Sequence, residues 1–199
     1  GADRPTLALR FDRPLDPAWR IADPLALARE PGVGALSLRT SPRRALAELP
    51  LACDGGSVAL TVDATIVHAD WATNLEVSLM AEHSDDAWLT VSLGAGGQVE
   101  RPVRHVAALT GANAARTLFH ELPRDLGGRV RVHFRHDPEL GLALVELTTA
   151  DGVTVRRQFP DAHGRSTMPG APAPGPLRLR LLGHGPNPDL YGHILVHAI

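Results

Sequence analysis

The chain has 199 residues, of which 44% are hydrophobic, and its formal net charge at pH 7 is -2. This balance excludes an intrinsically disordered chain, and it argues against a generally cationic protein that binds nucleic acid. All-β domains often reach about 200 residues as one unit, so we expect a single domain over residues 1–199.

The residue composition bears on the source of the protein, on disulfide bonds and on membrane segments. All 20 residues counted as lysine or arginine are arginine, which indicates a GC-rich coding genome and favours a bacterial source. The single cysteine, Cys53, cannot form an internal disulfide, so the fold depends on its hydrophobic core. We expect no membrane span, because no run of about 18 apolar residues is present, and the first residues do not resemble a signal peptide.

Alternation of apolar and polar residues predicts ten β-strands, because successive side chains of a strand point to opposite faces. In chain order these segments are 7–11, 34–40, 57–67, 74–82, 87–94, 129–135, 142–149, 153–159, 177–183 and 191–198. Turn residues separate them, and Asp151-Gly152 between two of the runs predicts a two-residue hairpin turn of type I′.

Signals for other structure are few. Segments 24–30 and 42–49 predict short helices, the second with Ser41 as its cap and Pro42 in its first turn. Segment 163–176 is rich in proline and glycine and predicts an exposed loop. The whole pattern predicts an all-β fold, a two-sheet antiparallel β-sandwich with about ten or more strands and minimal helix.

Short motifs at both ends of this strand order carry a resemblance to a known superfamily. The chain ends in a strand, a glycine, a loop and the step Tyr191-Gly192-His193-Ile194, and its front half contains Trp19, the strand 34–38 and Asp86-Ala87-Trp88-Leu89. In this layout it resembles the concanavalin A-like lectins and glucanases, including laminin-G-like domains. It departs from laminin-G-like endings at Leu195, where an acidic residue is common.

The resemblance implies a jelly-roll fold and a recognition function. On this basis we expect a non-catalytic, lectin-like carbohydrate-binding module of a larger bacterial protein, located outside the cell or in the cell envelope. The alternative is a protein-interaction or structural β-sandwich that has no glycan ligand. A glycoside hydrolase is less favoured, because the acidic pattern Glu-x-Asp-x-x-Glu of the related glucanases does not occur.

A sugar site needs an aromatic platform beside polar side chains, and one strand offers both. Trp88 shares its strand phase with Thr90, and we expect Glu76 of the preceding strand to lie close to them. The alternative is that Trp88 packs under a covering loop.

A second candidate surface is cationic. Arg129, Arg131 and Arg135 share one face of a predicted strand, and Arg156, Arg178 and Arg180 could join them if their strands were neighbours. Such a surface would suit sulfated or carboxylated glycans or an acidic protein. The alternative is a solvated sheet face on which acidic residues such as Glu146 pair with the arginines.

Metal binding rests on the resemblance, since many lectins of this superfamily hold calcium in rim loops. Asp85, Asp86 and Asp189 are the loop residues that we expect to act as ligands if calcium binds, and the alternative is that they are solvated turn residues. His193 and His197 share a strand face, but two ligands do not make a site, even with His184 nearby. No cofactor is expected to be required.

Overall fold

The computed structural model describes residues 8–39, 45–51, 58–70, 73–82, 87–96, 104–111, 117–122, 129–137, 142–150, 152, 154–159, 176–185 and 189–199. Every regular element in these ranges is a β-strand. The strands are β1 (Arg20–Ile21), β2 (Leu27–Glu30), β3 (Ala35–Arg39), β4 (Ala45–Leu51), β5 (Val58–Ala69), β6 (Asn74–Ala81), β7 (Ala87–Gly96), β8 (Arg104–Gly111), β9 (Thr117–Leu122), β10 (Arg129–Asp137), β11 (Leu142–Thr149), β12 (Thr154–Phe159), β13 (Leu177–His184) and β14 (Gly192–Ala198).

The strands form two seven-stranded sheets. Sheet I has the order β1-β4-β13-β6-β7-β8-β9, and sheet II has the order β12-β11-β10-β5-β14-β3-β2. All neighbouring strands in both sheets are antiparallel. The predicted two-sheet antiparallel β-sandwich is therefore confirmed.

One cluster of buried apolar residues draws on both sheets, and it follows from the alternation along each strand. Sheet I contributes Leu75, Val77, Leu79, Leu179 and Leu181, and sheet II contributes Leu36, Leu38, Val62, Ile66, Ile194 and Val196, among others. A Val, Leu or Ile side chain buried in this way contributes about 1.5–3 kcal/mol to stability. The residues between them along each strand point away from this core, and they form the two outer faces.

Both predicted helices are wrong, because the segments form strands. In β4 the residues Ala45, Ala47 and Leu49 are buried and alternate with half-buried Leu46 and Glu48. Helix-forming composition misled the prediction, since packing against a neighbouring sheet overrides the weak helical preference of Ala, Leu and Glu. Segment 24–30 likewise holds a turn followed by β2.

Several other boundaries differ from the prediction. Segment 7–11 is not a regular strand: it makes one isolated bridge, Arg10 to Ala198, and Leu9 exchanges backbone hydrogen bonds with Ile199. Strands β1, β8 and β9 were not predicted. The loop predicted for 163–176 lies outside the described residues except for Pro176, and the single domain stays a prediction.

The hairpin between β11 and β12 is present, with a turn that differs slightly from the predicted one. The N–H of Gly152 donates to the carbonyl of Thr149 at 3.0 Å, so the chain reverses direction between these two residues. Gly152 has φ of +83°, a conformation that glycine adopts without a steric penalty. A turn followed by a glycine with positive φ is typical of three-residue hairpin loops.

Candidate functional site

Strand pairing aligns a row of polar residues across all seven strands of sheet I at one register level. We call this set the polar row, and its members from β1 to β9 are Arg20, Glu48, Arg180, Ser78, Thr90, Thr110 and Thr117. Because neighbouring strands lie about 4.8 Å apart, the row spans about 29 Å. A linear polar ligand could therefore contact several strands along it.

The centre of this face is recessed. Ser78 and Met80 point away from the core in strand phase, yet both have no exposed surface. Arg178 and Glu48 beside them keep only 13% and 24% of their side-chain surface exposed. Side chains on an outer sheet face that have no exposed surface are covered by their neighbours, so the centre of this face is not a flat solvated sheet.

Most of the charges on this face are paired. Arg178 Nε lies 2.9 Å from Glu48 Oε2, and its Nη1 donates to the backbone carbonyl of Glu82 at 3.2 Å. Arg20 lies 3.8 Å from the carboxylate of Glu82 at the edge of the sheet. The Nε of Arg180 is buried and has no hydrogen-bond partner within the described residues.

The predicted sugar-binding residues lie on neighbouring strands of sheet I. Ser78 pairs with Thr90, and Glu76 pairs with Ser92 two residues further along the strands. The two strands are therefore adjacent, as expected. Leu79 pairs with Leu89 and Met80 with Ala87, which makes Trp88 the extra residue of a β-bulge. The binding roles of Trp88, Thr90 and Glu76 stay predictions.

The predicted cationic surface lies on the outer face of sheet II, and a carboxylate stands at its centre. Asp63 on β5 accepts hydrogen bonds from Arg129 at 3.1 Å and from Arg131 at 3.3 Å. Burial opposes ionisation of Asp63, but the two arginines outweigh it and lower the pKa of the carboxyl below its ordinary value of 3.8. The arginines are thus partly neutralised, while Arg135 on the same face is exposed.

Asp63 was missed in the sequence, although its strand was predicted. Its alternation places it on the outer face of β5, but the pairing of β5 with β10 joins residues 66 positions apart. No local pattern indicates such a pairing. The binding roles of Arg129, Arg131 and Arg135 stay predictions.

The wider arginine surface does not form. Strand β13, which carries Arg178 and Arg180, belongs to sheet I, so these residues lie on the opposite side of the sandwich from β10. Arg156 is in sheet II, but its Nη2 lies 2.6 Å from Glu146, the pairing that the alternative interpretation expected. Strand phase alone cannot tell which sheet a strand joins.

Three histidines on the outer face of sheet II are hydrogen-bonded to hydroxyls of neighbouring strands. His133 contacts Thr61 at 2.8 Å, His197 contacts Thr65 at 2.7 Å, and His193 contacts Ser37 at 2.8 Å. Burial, aided by a nearby arginine in each case, lowers the pKa of His193 and His197. The imidazoles of His193 and His197 are therefore neutral at pH 7, and all three histidines serve the sheet as hydrogen-bonding groups.

The described residues include one of the three predicted calcium ligands, so they do not test whether the ligands lie together. Asp85 and Asp86 lie outside the described residues, and Asp189 is exposed in the loop before β14. No group of three or more His, Cys, Asp or Glu side chains that could hold a metal ion occurs among the described residues. Calcium binding stays a prediction.

Four residues at one end of sheet II form a cluster that was not predicted from the sequence: Arg39, His68, Asp70 and Tyr191. The rings of His68 and Tyr191 stack with centroids 5.8 Å apart, and Arg39 donates to the hydroxyl of Tyr191. Asp70 accepts hydrogen bonds from the backbone N–H of Tyr191 at 2.7 Å and contacts His68 at 2.9 Å. The Tyr-Gly-His-Ile step at the start of β14 is the sequence signal for this junction.

The described residues include no helix of the length and apolarity needed to cross a bilayer.

Comparison with known proteins gives matches of structure but not of sequence. No family model matches the chain, and no curated protein does. Lectin I from Ulex europaeus, solved with the methyl glycoside of α-L-fucose, has a TM-score of 0.64 at 12% identity, covering 96% of this chain and 95% of the lectin. The CBM2 module of the evolved Dit of a Lactobacillus casei phage has a TM-score of 0.63 at 10% identity, covering 96% of this chain and 92% of the module.

An enzyme shares the same architecture. A glycosyl hydrolase family 16 protein from Mycobacterium smegmatis has a TM-score of 0.58 at 15% identity, covering 96% of this chain and 97% of that protein. At such low identities the likeness is one of fold. The chain has the concanavalin A-like jelly-roll fold, as its resemblance to that superfamily led us to expect.

Proposed function

We propose that the chain is a non-catalytic carbohydrate-recognition module, part of a larger protein, that binds its glycan along the polar row of sheet I. The observation that carries this proposal is the row itself. It places hydroxyl, carboxylate and guanidinium residues on seven adjacent strands at one register level.

The chemistry of the row suits a sugar polymer. Glycans present many hydroxyls, which bind best to planar charged groups and to side-chain hydroxyls held in place by a rigid sheet. Arg180 and Ser78 sit at the recessed centre, with Glu76 one register step away. We expect Trp88, at the bulge of β7, to be the aromatic residue that such sites use as an apolar platform.

The arrangement of carboxylates supports a binding rather than a catalytic role. Glycosidases use two carboxyl groups separated by about 5–10 Å across the sugar bond. On the described part of this face Glu48 contacts Arg178, and Glu82 lies beside Arg20, so arginines occupy both. Glu76 lies two strands from Glu48, with a Cα separation of about 12 Å by sheet geometry.

The test is a binding screen of the purified chain against neutral and acidic glycans, with calcium and with a chelator. We expect at least one glycan to bind, and Trp88→Ala and Thr90→Val to weaken that binding at least five-fold. Thr148→Val is the matched control, because Thr148 is the same residue type on the outer face of sheet II. Its binding should equal that of the unchanged protein.

Three outcomes would contradict the proposal. Absence of binding to every glycan would favour a protein-interaction or structural module. Salt-sensitive binding that is lost in Arg131→Ala but kept in Thr90→Val would assign the ligand to sheet II. Release of new reducing ends from a bound polymer would identify an enzyme.

A further inference from the structure

Arg180 occupies an unusual position at the centre of sheet I. It lies on β13, between Glu48 of β4 and Ser78 of β6. Its Nε is buried and has no hydrogen-bond partner within the described residues. Arg178 is two residues away on the same face, and it has Glu48 and the carbonyl of Glu82 as partners.

An unpaired buried donor on a charged group is costly. Leaving such a group without an acceptor disfavours the fold, so the great majority of buried polar groups are paired in native proteins. Glu48 is the acid nearest to Arg180 in register, but it is already engaged by Arg178. A ligand carboxylate placed on this polar face would supply the acceptor that the described residues do not.

We infer that the glycan bound along the polar row is anionic, and that Arg180 binds the carboxylate of a uronic acid residue within it. This inference rests on the proposed function and narrows its ligand to one chemical class. The planar fork of an arginine matches a carboxylate with two parallel hydrogen bonds, which makes it a selective partner for this group. The recess provides the low-dielectric surroundings in which such a contact is strong.

The neighbours of Arg180 favour a uronic acid over a densely sulfated polymer. Ser78 is next to it in the row, and Glu76 lies one register step away on the same strand. A glutamate accepts hydrogen bonds from sugar hydroxyls and repels a second anionic group. The face therefore suits one carboxylate flanked by hydroxyls, as a uronic acid presents them.

The experiment compares polygalacturonate with the same polymer after its carboxyl groups have been reduced to alcohols, using equilibrium binding to the full chain at fixed ionic strength. Dextran sulfate serves as a probe for charge alone. We expect polygalacturonate to bind at least ten-fold more tightly than the reduced polymer, and dextran sulfate to bind more weakly than polygalacturonate.

Variants locate the contact. Arg180→Gln removes the charge and keeps hydrogen-bonding capacity, and it should weaken polygalacturonate binding by about ten- to a hundred-fold, the range for a lost charge-assisted hydrogen bond. Arg180→Lys restores the charge without the fork and should recover part of the affinity. Arg131→Gln is the matched control on sheet II and should change binding less than two-fold. Thermal unfolding of each variant establishes that it is folded.

The outcomes separate this inference from the proposed function. Equal binding of the native and reduced polymers, or unchanged affinity in folded Arg180→Gln, would overturn the inference while leaving neutral-glycan recognition intact. Preference for dextran sulfate would assign binding to charge alone, and loss of binding in Arg131→Gln would assign it to sheet II; either result would overturn the inference as well. Failure of every glycan to bind would overturn both.

Discussion

Arg178 and Arg180 are two residues apart on β13 and face the same way, yet their surroundings differ. Arg178 shares its charge with Glu48 at 2.9 Å, and its side chain is only 13% exposed. Arg180 has a buried Nε without a partner in the described residues. Arg178 therefore supports the fold through its ion pair with Glu48, whereas the desolvation of the Arg180 Nε is offset by no described acceptor.

Substitutions at Arg180 and at Glu48, the partner of Arg178, should change the free energy of unfolding in opposite directions. Arg180→Met removes a buried Nε donor that has no described acceptor and should raise the free energy of unfolding by about 1 kcal/mol. Glu48→Gln takes the counter-ion from Arg178 and should lower it by about 1–3 kcal/mol. Urea denaturation measures both. A loss of stability in Arg180→Met would mean that Arg180 has a structural partner.

On sheet II the acidic residue Asp63 is the partner of two arginines. Its side chain is 12% exposed and lies between Arg129 and Arg131, whose side chains are more than half exposed. Because solvent screens pairs with such exposed partners, the interaction is modest in free energy. Its clearest signature is a dependence of stability on pH.

That dependence has a definite sign. Since the pKa of Asp63 is lower in the folded state, its contribution is complete above the unfolded-state value near 4 and is lost as the pH falls through the folded-state value. Asp63→Asn should therefore cost about 1 kcal/mol at pH 7 and progressively less below about pH 4. The exposed Asp12→Asn serves as control in the same series of urea titrations. A cost that stayed constant down to pH 2 would contradict this account.

At the scale of elements, the junction before β14 shows how side chains fix the position of a strand. Asp70 accepts the N–H of Tyr191 and donates its own N–H to the Tyr191 carbonyl at 2.8 Å, and Thr73 donates to the Asp70 carbonyl at 2.7 Å. The hydrogen bond from Tyr191, together with the contact to His68, lowers the pKa of the Asp70 carboxyl despite some burial. The loop after β5 is thereby tied to the start of β14.

Removal of the Asp70 side chain should have only a local effect. Asp70→Ala leaves the N–H of Tyr191 without its acceptor and should lower the free energy of unfolding by about 1 kcal/mol. Hydrogen exchange of the Tyr191 amide should accelerate, while amides in the middle of β14 should keep their protection. Asp12→Ala is the control. Uniform acceleration along β14 would show that the junction supports the whole strand.

The elements also show what sequence patterns can and cannot reveal. Strands β5, β6, β10 and β11 were predicted because regular alternation persists over 8 to 12 residues in each. Strand β4 was taken for a helix, because Ala, Leu and Glu favour helices and only contact with β13 and β1 makes the segment extended. Burial by distant partners decided its conformation, and local preference did not.

At the scale of the whole molecule, the sequence indicated the sandwich but not the assignment of strands to sheets. Arg180 was therefore grouped with Arg131, although the two lie on opposite sides of the fold. The adjacency of β6 and β7 was predicted correctly because the two strands are consecutive in the chain. The polar row could not be predicted, since it depends on the register of seven strands drawn from all parts of the sequence.

The central claim is that the outer face of sheet I holds the ligand, and amide hydrogen exchange with and without saturating polygalacturonate tests it most directly. The account predicts added protection for the amides of β13, β6 and β7 at the level of Arg180, Ser78 and Thr90, with β5, β10 and β14 unchanged. Protection confined to sheet II, or no protection on either sheet, would contradict it.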